Sequence, residues 1–139
     1  MAKIMALDVG TRRIGVAVTD ADRTFALPSE VVDASRCFEH VIERLTEEDF
    51  DTVVIGLPVD LKGREGAASK RSRSFKASLE AKLAEHNMDI AVELVDERLT
   101  TVMANHLLDE AGVRGQKRKE QVDAIAAQQI LEAFLDSKR

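Results

Sequence analysis

The chain has 139 residues, 45% of them hydrophobic, enough for one domain spanning residues 1–139 whose core needs neither disulfides nor structural zinc. Cys37 is the single cysteine, and Met1 leads at once into a strand-like run too short for a signal peptide or a bilayer span, so the expected setting is the reducing cytoplasm with no membrane. The net charge of -5 excludes a generally basic nucleic-acid-coating protein; any grip on phosphate has to come from a local patch or through a metal.

Lys3 to Asp8 and Ile14 to Thr19 read as strands, and Gly10-Thr11-Arg12-Arg13 between them has turn chemistry, which predicts an antiparallel hairpin. Thr24 to Leu27 is a short third strand stopped by Pro28, and Ser35 is placed to cap a helix with Phe38, Val41, Ile42 and Leu45 on one face, ending near Glu48. Thr52 to Ile55 has the unbroken apolar character of a buried, parallel, central strand closed by Gly56-Leu57-Pro58. A polar loop from Asp60 to Ser69 feeds a helix with Phe75, Leu79 and Leu83 inside, and Ile90 to Val95 forms the next strand. Thr100 or Thr101 caps a helix bearing Val102, Leu107 and Leu108 that stops at Gly112; Arg114 to Glu120 is a second polar loop. The last helix carries Val122, Ile125, Ala126, Ile130, Ala133 and Phe134, with Asp123 in its first turn. This order predicts a mixed sheet covered by helices.

Asp8 ends a strand and precedes a glycine turn, where a carboxylate meets ligands at a sheet edge or, equally, organises the turn through its amides. Asp96 and Glu97 close another strand and alternate in direction, so only one can join Asp8; we assign Glu97, against the alternative of a solvated strand end neutralised by Arg98. Asp123 is what the dipole of a helix favours near its start, yet its spacing to Ala126, Ala127 and Ile130 puts it beside the buried face. Three converging carboxylates repel one another unless a cation compensates them. Hard oxygen donors select Mg²⁺ or Mn²⁺, and two such ions would activate water and stabilise the leaving oxygen in phosphodiester hydrolysis. His40, His86 and His106 lack ligand spacing and are read as structural or exposed.

Candidate nucleic-acid contacts are Arg12 and Arg13 in the first turn, Arg98 beside Glu97, and the cluster Lys62, Arg64, Lys70, Arg71, Arg73 and Lys76, which Glu65 alone offsets within that stretch. Lys117, Arg118 and Lys119 form a second cluster before the last helix, of which Lys117 and Arg118 are candidate contacts. Each cation is open to the plainer reading of a solvated surface charge. With no Trp or Tyr, recognition is expected to rest on backbone and shape.

Four segments, Asp8-Val9-Gly10-Thr11-Arg12-Arg13-Ile14-Gly15, Gly56-Leu57-Pro58, Asp96-Glu97-Arg98-Leu99-Thr100-Thr101 and Val122-Asp123-Ala124-Ile125-Ala126-Ala127, together closely resemble the YqgF family, also called RuvX, in order over nearly the whole chain. The resemblance implies an α/β, ribonuclease H-like fold with a mixed five-stranded sheet and helices on both faces. It also implies a metal-dependent nuclease with Asp8, Glu97 and Asp123 as catalytic acids and metal ligands. Its substrate would be precursor ribosomal RNA at the 16S 5′ end or branched DNA at a Holliday junction, with the protein acting as a monomer or a homodimer. Two rivals remain: a binding module that does not cleave, and an ATP-binding kinase relative, for which the chain is too short.

Overall fold

The computed structural model describes residues 2–99 and 116–138, without the side chains of residue 99 and residues 116–122. Five strands, β1 (Lys3–Val9), β2 (Arg13–Thr19), β3 (Ala26–Asp33), β4 (Phe50–Leu57) and β5 (Ala91–Asp96), make one sheet in the order β3-β2-β1-β4-β5. β2 runs antiparallel to β1 and β3, while β4 pairs parallel with both β1 and β5, so the mixed five-stranded sheet is as expected. Among the described residues the α-helices are α1 (Cys37–Glu47), α2 (Ala67–Glu85) and α3 (Gln116–Lys138).

Successive side chains of a strand point to opposite faces, and the buried strands use both. Met5, Leu7, Val53 and Ile55 join Val41, Leu45, Phe75 and Leu79 under α1 and α2. Ile4, Ala6, Ala17 and Val54 face Ala126, Ala127, Ile130, Leu131, Phe134 and Leu135 of α3. The second face is lined with alanine on strand and helix alike, which lets α3 lie close to the sheet.

Several boundaries differ from the sequence reading. β3 continues through Pro28 to Asp33 because it is an edge strand, where a missing amide donor forfeits no ladder bond, and Pro28 stands opposite Ala17 at an irregularity in the pairing. The turn before it is made by Asp20, whose carboxylate accepts from the amides of Thr24 and Phe25, so the strand begins only at Ala26. Asp33, not Ser35, supplies the cap: it accepts from the Ser35 amide at the start of a 3-10 turn that leads into α1. Residues 116–120, expected as loop, are already helical, since Gln-Lys-Arg-Lys-Glu contains no breaker and every member favours helix. Ile125 is 41% exposed and lies off the buried stripe, which runs through Ala126, Ala127, Ile130, Leu131, Phe134 and Leu135. The helix expected from Thr100 or Thr101 to Gly112, and His106 with it, lie outside the described residues.

Candidate active site

The candidate acids sit at the end of the sheet where β1, β4 and β5 finish. Asp8 is buried at 6% exposure on the α3 face of β1, directly opposite Gly15 of β2. Val95 of β5 packs on the α3 side, and Glu97 keeps that phase two residues later, although it already belongs to a 3-10 turn, Glu97–Leu99. It is 2% exposed, so the choice of Glu97 over Asp96 for the buried side agrees with the structure. Because Leu7 pairs with Ile55, Asp8 stands level with Gly56. A Cβ on Gly56 would collide with the Glu97 carboxylate and lie 2.5 Å from Ile130 Cδ1. The Glu97 carboxylate thus lies over Gly56, one strand from Asp8, a lateral step of about 4.8 Å.

Asp123 lies two turns into α3 rather than in its first turn, so the helix dipole does not account for it. It is tied to β2 instead: Arg13 Nε donates to Asp123 Oδ2 at 2.8 Å, and both side chains are about three-quarters buried or more. The tie depends on Gly15, where a Cβ would stand 2.5 Å from the Asp123 carbonyl carbon and closer still to its oxygen. Neither glycine was read as part of the site. A glycine within an otherwise apolar strand is the signal that points to such close approach.

Asp96 is turned the other way. Its carboxylate accepts from the Arg98 amide at 2.9 Å and from Arg98 Nη2 at 2.7 Å, and this guanidinium holds the Asp96 carboxyl below the usual range. Buried Asp8 and Glu97 share one face, and their oxygen donors suit a hard divalent ion. Asp123 has to share or leave Arg13 to complete the set. Among the described residues no three His, Cys, Asp or Glu side chains are already gathered closely enough to hold an ion. His40 lies against Glu30, and His86 ends α2.

The structure divides the expected phosphate-binding cations. Arg13, Arg64, Arg73, Lys76 and Arg98 are paired with Asp123, Asp60, Glu65, Glu80 and Asp96. Arg12, Lys62, Lys70 and Arg71 make no side-chain hydrogen bond or ion pair among the described residues. Lys117 and Arg118 lie in α3, with side chains outside the description. The basic loop adjoins the end of β5 at Gly63, which has a φ of +81° and where a Cβ would stand 2.9 Å from Arg98 Nη1.

This end of the sheet combines two buried carboxylates with cations, Arg12 in the turn after β1 and Lys62 in the loop after β4, that make no ion pair among the described residues, on a ribonuclease H-like fold. The fold matches a solved structure of T. thermophilus RuvC in complex with a Holliday junction substrate, with a TM-score of 0.57 at 16% identity, covering 99% of this chain and 96% of that one. The class is that of the nucleases, as the descriptions of the matching family and of its relatives have it. The family model of RuvX, described as Holliday junction resolvase, matches residues 2–137, and the chain belongs to this family. Relatives named as candidate pre-16S rRNA nucleases include one from Maridesulfovibrio salexigens, 38% identical over 136 residues, covering 96% of this chain and 97% of that protein. Another, from Mycobacterium ulcerans, is 40% identical over 138 residues, covering 97% and 79%.

Proposed function

We propose that this protein hydrolyses phosphodiester bonds of precursor ribosomal RNA with Mg²⁺ or Mn²⁺ held by Asp8, Glu97 and Asp123. The observation that carries this reading is the pair of buried carboxylates, Asp8 and Glu97, on one face at the open end of the sheet. Two buried carboxylates on one face repel each other, and their oxygens are the donors that a hard divalent ion takes. Bound metal would polarise the phosphoryl oxygens and lower the pKa of attacking water. The chain's own residues do the rest. Glu97 is held in place over Gly56, Asp123 is oriented by Arg13, and α3 closes the site from one side. Arg12 and Lys62, which make no ion pair among the described residues, attract the phosphate backbone.

A second reading, cleavage of branched DNA, is favoured by the description of the matching family and by the likeness in fold to a junction-bound resolvase. The experiment is side-by-side cleavage in Mn²⁺ of an RNA carrying a 16S 5′ leader and of a four-way DNA junction, with Asp8→Asn as control. Cleavage of the leader that is lost in Asp8→Asn supports the first reading; cleavage of the junction alone transfers support to the second. Binding without cleavage of either, unchanged in Asp8→Asn, refutes both.

A further inference from the structure

On the opposite side of the sheet from Asp8, Gly10 and Thr11 border an open cavity of about 390 Å³ between α1 and α2. Its floor is apolar, made by Ile14, Cys37, Phe38 and Phe75, and its rim carries Thr11, Arg71, Ser74 and Ser78. Arg71 is half-buried and has no hydrogen bond or ion pair among the described residues, whereas Arg73 and Lys76 on the same helix are neutralised by Glu65 and Glu80. An unpaired guanidinium beside three hydroxyls, above an apolar floor, is the chemistry of a phosphate joined to a flat, largely apolar group.

We propose that this cavity holds a nucleotide flanking the scissile one, its phosphate on Arg71 with Thr11, Ser74 and Ser78 and its base on the apolar floor. The inference rests on the nuclease reading for the source of that nucleotide. Val9, Gly10 and Thr11, which line the cavity, follow Asp8 directly in the chain, so a strand crossing the end of the sheet at this turn passes both. Phe38 stacks on Phe75 with ring centroids 4.7 Å apart, and Lys82 Nζ lies over its ring at 5.6 Å. With Phe75 stacked on Phe38, the floor meets a base through apolar contact and not through hydrogen bonds, which tolerates any of the four bases. Recognition here is of a nucleotide unit rather than of a sequence.

The test measures binding in EDTA, without cleavage, of a single-stranded RNA 12-mer and of adenosine 5′-monophosphate. Arg71→Ala is expected to weaken RNA binding roughly tenfold and to reduce the salt slope by about 0.7, the value of one lost phosphate contact on a single strand. Arg73→Ala, whose charge is already spent on Glu65, is expected to change neither. Ser78→Leu, which crowds the cavity and removes one rim hydroxyl, should weaken RNA binding while leaving the salt slope intact. Equal effects of Arg71→Ala and Arg73→Ala overturn the proposal in favour of diffuse electrostatics. Tight mononucleotide binding with RNA binding insensitive to Arg71→Ala overturns it in favour of a free-nucleotide site. Loss of cleavage in Asp8→Asn, measured separately, bears on the nuclease reading alone.

Discussion

Gly15→Ala tests whether the close approach of α3 to β2 is what places Asp123. The added methyl would meet the Asp123 carbonyl carbon at 2.5 Å and the Ala124 amide nitrogen at 3.2 Å, both backbone atoms. No side-chain rotation relieves such a clash, so either the helix moves off the sheet or the strand is displaced. Overpacking costs typically 1–3 kcal/mol, and a clash with backbone on both sides belongs at the top of that range, about 3 kcal/mol. For a domain of this size that is a fall in Tm of roughly 10 °C. Gly66→Ala is the control, because a Cβ there meets nothing within 4 Å and the φ of -127° is extended. It is expected to stay within about 1 kcal/mol of the parent, the gain of about 0.4–1 kcal/mol through the unfolded chain being offset by the poorer cap that alanine makes at this N-cap of α2. Urea unfolding of both variants gives the difference directly. A Gly15→Ala protein within about 1 kcal/mol of the parent would refute the close approach and the account of how Asp123 is placed.

Gly56→Ala should behave differently, because the atoms it meets are the far ends of Glu97 and Ile130. Those side chains can yield, so stability should fall by only about 1–2 kcal/mol while cleavage falls on the order of 10²-fold as Glu97 is displaced; unchanged cleavage would remove Glu97 from the site. Mn²⁺ at about 100 times its Kd should stabilise the protein by about 2.7 kcal/mol in thermal melts, and Asp8→Asn should abolish that shift; an equal shift in Asp8→Asn would place the ion elsewhere. Glu48 has its pKa lowered mainly by its hydrogen bond from Lys3, reinforced by Arg44. Its contribution to stability is therefore present above the ordinary glutamate range and is lost as pH falls through the depressed folded value. The stability gap between the parent and Glu48→Gln should shrink between about pH 6 and pH 3, and a constant gap would argue against the pairing.

Features set by local periodicity were legible in the sequence, and those set by distant partners were not. The apolar phase of β1 and β4 and the phase that turns Glu97 inward follow from the two-residue repeat, which operates over a few residues. Pro28 misled because a proline ends a strand only where its amide is needed, and edge position depends on the whole sheet order. The start of α3 misled because a charged stretch without breakers looks like loop when judged by polarity and like helix when judged by propensity.

The same distinction governs the basic residues. Arg71 and Arg73 are two positions apart and chemically identical in sequence, but eight residues back Glu65 reaches Arg73 at 2.6 Å while Arg71 faces the cavity under the Thr11 turn. Arg13 reads as a turn cation until Asp123, 110 residues away, takes its Nε. Net charge counted along the chain therefore overstates the phosphate-binding capacity of this surface. What attracts a polyanion is the uncompensated remainder, Arg12, Lys62, Lys70 and Arg71 among the described residues, and that remainder flanks the end of the sheet where Asp8 and Glu97 are buried.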